Sequence, residues 1–321
     1  MVKKIGKRIL IISLALFAII VLLLGICYIN HRIQLKSEEL IYTPIGHQVE
    51  VNGHKINVYS EGTGDTTLVF MSGGGTCSPV LDFKSLYSLL SDRYRIVVIE
   101  KAGYGFSDDS DVARDIDTVL SDTRQALTLS GISAPYILCP HSMSGIEALY
   151  WAQQYPQEVT AIIGLDMAVP SAYKEMSINI SLQHLLSFAA NIGVTRWIPN
   201  VAESDAIKFG TLTEEEKELY RAVFYRRTAT TAMVNEAAAI KTSAEIVGNG
   251  DVVAAPVLMF TSNGSGGTGY EETTWRGFQK DFISSIPNGK LIELDCPHYV
   301  QDYEYFTIAA EIAAFIESIV S

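Results

Sequence analysis

An unbroken apolar run stands near the start of the chain. Ile9–Ile29 reads ILIISLALFAIIVLLLGICYI, without a charged residue. As a helix these residues would span about 31 Å, close to the hydrocarbon thickness of a bilayer. Lys3, Lys4, Lys7 and Arg8 precede the run. A secretory signal would have a shorter apolar region and a small-x-small cleavage site. The best such pair, Gly25 and Cys27, is poor, and Ile26 stands where a lipoprotein site needs a small residue. Length and basic flank also argue against a buried core helix. The pattern predicts a basic cytoplasmic flank (1–8), a transmembrane helix (9–29), a linker (30–45) and a domain on the outer face.

From residue 46 the pattern changes to alternation. HQVEVNGHKINVYSEG reads as two strands turning at Asn52-Gly53. Short apolar runs then alternate with helical patterns: TLVFM, a helix near Leu81–Leu90, RIVVIE, a helix near Val112–Ser130, YILCP, a helix from about Ser144, and AIIGLD. Near-continuous apolar strands in such a rhythm imply a mostly parallel sheet covered on both faces. VLMFT and LIEL resume it near the end, closed by an amphipathic helix from about Tyr303 to Ile319. Between these parts, from about 169 to 251, the pattern is helical, with a capping-box signal at Thr213 and Glu216. This segment is expected to form a helical lid within a domain covering 46–321.

Composition sharpens the picture in one respect. The 321 residues include 36 acidic and 24 basic side chains, and 48% are hydrophobic, enough for a substantial core. Six of the basic residues precede Ser37, where there are no acids, so the remainder carries a formal charge of −18. A domain so acidic would be repelled by phosphate backbones, which excludes nucleic acid as a partner. Outside the span stand Cys77, Cys139 and Cys296, with no metal-ligand spacing and no disulfide framework.

Candidate chemistry centres on Pro140-His141-Ser142-Met143-Ser144-Gly145, between the strand YILC and the helical run IEALYWAQQYP. A serine on a sharp strand-to-helix turn is held proud of the sheet, and its neighbours two positions away must be small. The helix N-terminus and the Met143 N–H would then stabilise an oxyanion. Upstream, Gly74 in MSGGGT directly follows a strand and offers a second backbone donor. Of six histidines, His298 follows the last strand and precedes the final helix, where an imidazole can take the serine proton and return it. His141, beside the nucleophile, would shape the pocket.

Taken together these pieces resemble the α/β-hydrolase superfamily from about residue 46 to the end. SGGG resembles its oxyanion turn, EKAGYGFSD (Glu100–Asp108) its Gly-x-Gly-x-Ser loop, HSMSG its nucleophile elbow and CPHYVQ its Gly-His-Phe segment. Ser72, Pro140, Ser144 and Pro297 depart from the family pattern. The resemblance implies an α/β fold with a mostly parallel eight-stranded sheet, helices on both faces, and the chain order serine, acid, histidine.

The resemblance also frames the search for the acid. The loop after the seventh strand, its usual place, reads SNGSGGTGYEETTW and holds no aspartate. Glu271 and Glu272 come late in it. Other members carry the acid after the sixth strand, and Asp166, 24 residues beyond Ser142, fits that placement. Asp166, the glutamates, or a Ser–His dyad without a carboxylate all remain open. The expected chemistry is hydrolysis of a small-molecule ester, or secondarily an amide, with no metal or organic cofactor implied. A proline-type aminopeptidase is one alternative, although its characteristic His-Gly-Gly-Pro-Gly turn is absent here. A non-catalytic surface binding protein that retains the fold is the other.

Overall fold

The computed structural model describes residues 2–320. Met1 and Ser321, with the side chains of Lys3 and Lys4 from the expected basic flank, lie outside it. Among the described residues one helix is long and apolar enough to cross a membrane, α1 (Val2–Ser37). It continues into the expected linker as far as Ser37 and is followed by a 3₁₀ turn, Glu38–Leu40. The reason lies in tertiary contacts that local composition does not reveal. Glu38 accepts hydrogen bonds from Arg196 at 2.7 and 2.9 Å and from Arg226 at 2.7 Å.

Among the described residues eight strands form one sheet: β1 (His47–Val51), β2 (His54–Glu61), β3 (Thr67–Met71), β4 (Arg95–Glu100), β5 (Tyr136–Pro140), β6 (Val159–Leu165), β7 (Val257–Thr261) and β8 (Gly289–Glu293). Their order is β1-β2-β4-β3-β5-β6-β7-β8. β2 is antiparallel to β1 and β4, and every later pairing is parallel. The β1–β2 hairpin turns at Asn52 and Gly53, at φ 51° and 84°, the left-handed pair that suits a tight hairpin.

Strand alternation divides the core in two. Val69, Met71, Val97, Ile99 and Leu138 face helices α2 (Ile116–Leu129) and α3 (Ser144–Gln154). Leu68, Phe70, Ile96, Val98 and Ile137 face the C-terminal helix. The helix expected near Leu81–Leu90 is two short ones, Pro79–Asp82 and Lys84–Tyr87, interrupted at Phe83, whose ring packs on Phe70. α2 begins later than its apolar pattern suggests because Asp115 caps it, accepting from Thr118 N at 2.8 Å.

Between β6 and β7 the chain is helical, with α4 (Ile180–Asn191), α5 (Glu214–Arg227) and α6 (Thr231–Gly248) as its longest elements. The Thr213–Glu216 capping box forms at the start of α5. Two more helices complete the domain, α7 (Glu272–Ser284) after β7 and α8 (Tyr305–Val320) at the end. The inserted helices are tied to the sheet through buried charge. Lys101, in the loop after β4, pairs with Glu236 of α6, and Tyr104 donates to the same carboxylate at 2.6 Å.

Glu100, at the end of β4, is fully buried and accepts from Phe106 N at 2.7 Å and Asn57 Nδ2 at 3.0 Å. Burial pushes its carboxyl up from 4.5 to about 7. The folded state thus holds this proton more tightly than the unfolded chain. Its contribution to stability is whole below pH 4.5 and is lost as pH rises through about 7. Glu100→Gln is expected to flatten thermal stability across that window. An unchanged slope of melting temperature against pH would assign the dependence to other groups.

Candidate active site

The turn between β5 and α3 lifts Ser142 off the sheet. Its φ is 53°, a left-handed conformation that non-glycine residues adopt at a cost and that recurs at functional turns. Three contacts hold it there. His141 N donates to Met71 O at 2.9 Å, Ser144 Oγ donates to the same carbonyl at 2.6 Å, and Ala168 N donates to Ser142 O at 2.8 Å. Pro140 fits because β5 ends on it, and ordinary pairing with β6 has already stopped at Leu138. A Cβ on Gly73 would lie 2.6 Å from Ser142 Cβ, so only glycine lets the upstream turn approach this closely.

His298 enters from the loop after β8. Its Nε2 is 2.8 Å from Ser142 Oγ and its Nδ1 is 2.5 Å from Asp166 Oδ2. The glycine-rich loop after β7 closes over the imidazole edge. His298 N donates to Ser265 O at 2.9 Å, and a Cβ on Gly267 would lie 2.7 Å from His298 Cδ2. On the other side His141 packs against the His298 ring at 4.7 Å, with its Nε2 3.1 Å from the His298 carbonyl oxygen. Burial and the neighbouring His298 hold the His141 imidazole down at about 3, so it stays neutral. A neutral ring with its proton on Nε2 donates to that carbonyl and fixes the histidine loop.

Asp166 directly follows β6 and is fully buried. Burial alone would raise its carboxyl, but hydrogen bonds from His298 and Ser262, together with the charge of the imidazole, outweigh it and hold the group below the usual aspartate range. Ser262 donates twice, from N at 2.7 Å to Oδ1 and from Oγ at 2.6 Å to Oδ2. Trp275 Nε1 donates to Oδ1 at 2.8 Å. The carboxylate is thus held ionised and oriented from both sides. Glu271 and Glu272 stand elsewhere: both are exposed at the start of α7, and Glu272 pairs with Arg276 at 2.5 Å.

Gly74 and Met143 border a cavity of about 400 Å³ at Ser142, with Met176, Ile178, Met233 and Ile240 among its apolar walls. Ser262 and Trp275 escaped sequence reasoning, although Ser262 begins the loop where the family's acid usually stands. Ser262→Ala removes one hydrogen bond to a charged group, worth about 1.5–3 kcal/mol. If Asp166 serves His298, turnover is expected to fall about tenfold or more, and unchanged turnover would show that the carboxylate needs no such brace.

The α/β-hydrolase fold family matches residues 66–192. Uncharacterized protein YbdG of Bacillus subtilis (strain 168) is 43% identical over 232 residues, 70% of this chain and 70% of that protein. The 2-(acetamidomethylene)succinate hydrolase of Mesorhizobium japonicum is 27% identical over 123 residues, 38% of this chain and 42% of that enzyme. In structure, an esterase from Thermogutta terrifontis superposes with TM-score 0.65 at 13% identity, covering 86% of this chain and all of that one (100%). The haloalkane dehalogenase DbeA of Bradyrhizobium elkani USDA94 superposes with TM-score 0.63 at 18% identity, covering 85% and 97%. The chain belongs to the α/β-hydrolase superfamily. Its eight-stranded, mostly parallel sheet with flanking helices is that fold.

Proposed function

We propose that this protein is a single-pass, membrane-anchored serine hydrolase that cleaves a carboxylic ester, or secondarily an amide, by acyl transfer to water. The observation that carries the reading is the line Ser142 Oγ, His298 Nε2, His298 Nδ1, Asp166 Oδ2, with separations of 2.8 and 2.5 Å at its two ends. In this scheme Ser142 Oγ attacks the carbonyl carbon while His298 Nε2 takes its proton. Asp166 keeps the proton on Nδ1 and stabilises the imidazolium. The N–H groups of Gly74 and Met143 hold the oxyanion. Collapse expels the alcohol with the proton from His298, and water repeats the sequence on the acyl-serine. The apolar cavity supports an acyl substrate, and the helical insertion over it acts as a lid.

Anchoring rests on α1, with its basic end cytoplasmic and the domain outside. A fluorophosphonate probe, which reacts with activated serines, is expected to label the full chain in the carbonate-washed membrane fraction. Absence of labelling on folded protein would favour a binding protein that retains the fold. Labelled protein in the soluble fraction would overturn the anchor alone.

A further inference from the structure

One stretch of the domain contradicts the acidity of the rest. From 176 to 202 there is no aspartate or glutamate, although the chain carries 36 acids. Within it, α4 turns Leu182, Leu185, Leu186 and Phe188 to the outside, and the following turn adds Trp197 and Ile198. Leu185 is 61% exposed and Trp197 60%. So many exposed apolar side chains within one short segment are the mark of an interaction surface.

What covers this face follows from its attachment to α1. Gly193 packs so tightly on the helix that a Cβ there would lie 2.3 Å from His31 Cβ and 3.2 Å from Cys27 O. Arg196 Nε donates to His31 Nδ1 at 2.9 Å, while Arg196 and Arg226 both hold Glu38. Cys27 and His31 straddle Ile29, the last residue of the apolar span. At about 1.5 Å of rise per residue, the Gly193 turn therefore lies within about 3 Å of the height at which the span ends. Trp197 follows four residues later and is exposed, and aromatic side chains favour the membrane–water boundary. The opposite side of the same segment faces the cavity: Met176, Ile178 and Gln183 line it beside Ser142.

We propose that α4 and the turn Val194–Ile198 rest in the headgroup layer of the bilayer that holds α1, and that the substrate is an acyl amphiphile drawn laterally from it into the Ser142 cavity. The inference rests on the anchored serine-hydrolase reading. An apolar face at a fixed height beside a membrane span loses its unfavourable hydration in the interface. The cavity wall on its inner side gives a lipid chain a path that never crosses bulk water.

The test uses the full chain in phosphatidylcholine vesicles. Trp151 and Trp275 are buried, so lipids brominated on their acyl chains should quench mainly Trp197. The quenched component should be absent from Trp197→Phe. Equal quenching of the two proteins would overturn the placement, whatever the activity. For the substrate, Leu185→Gln combined with Phe188→Ser removes two apolar anchors. Turnover of a long-chain monoacylglycerol dissolved in the vesicles is expected to fall about tenfold or more. Turnover of water-soluble p-nitrophenyl butyrate should stay within about twofold, since neither side chain lines the cavity. Equal loss on both esters, or loss on neither, would overturn the lateral route. A protein that takes no fluorophosphonate label yet keeps the Trp197 signal would refute the hydrolase reading and the substrate route, and leave the bilayer contact standing.

Discussion

Ser142→Ala is expected to abolish ester hydrolysis and fluorophosphonate labelling together. In a comparable serine hydrolase, loss of the nucleophile alone lowers turnover on the order of 10⁶-fold, about 8 kcal/mol of barrier. The fold should tolerate the change, because the left-handed turn is held by Met71 O, Ala168 N and Ser144 rather than by the lost hydroxyl. Alanine at that φ has no greater strain than serine, so thermal unfolding should stay close to the parent. Residual hydrolysis within about tenfold of wild type, on protein of unchanged stability, would remove Ser142 from the mechanism.

Asp166→Asn tests the other end of the line. Converting the carboxylate of a comparable triad to its amide costs about 10⁴ in turnover, roughly 5 kcal/mol. An amide can present its NH₂ to His298 Nδ1, which favours the wrong tautomer and leaves the imidazolium without its counter-charge. The double change Glu271→Gln and Glu272→Gln should lower turnover by no more than about twofold, since both side chains are exposed on α7. Asp166 also accepts from Ser262 and Trp275, so Asp166→Asn is expected to lower the melting temperature as well. The two effects separate by assaying well below that temperature. A loss of turnover smaller than tenfold there would leave Ser142 and His298 acting as a dyad.

Much of this arrangement was legible in the chain because its signals are local. The elbow hexapeptide lies between an apolar strand and a helical run, and His298 follows the last strand, so their neighbourhoods identify them. Asp166 could be offered only as one of several acids, because its partner is 132 residues away and nothing beside it names that partner. Ser262 and Trp275 were illegible for a related reason. They matter because β7 lies beside β6 and α7 packs back over both strand ends, a contact that exists only after folding. The linker expected over residues 30–45 is likewise largely helical through contacts with Arg196 and Arg226, far along the chain.

The Lys101–Glu236 pair has a consequence for how often the cavity roof opens. Swinging α6 away from the sheet would pull apart two charges that are almost wholly enclosed, and would also strand the Tyr104 hydroxyl. Deleting one partner of such a pair costs about 3–5 kcal/mol, whereas opening returns both charges to water and costs less. The pair therefore biases α6 toward the closed form. α4 carries no buried ion pair of its own among the described residues. The two walls of the chamber are thereby held by different means, one by an enclosed charge pair and the other by packing.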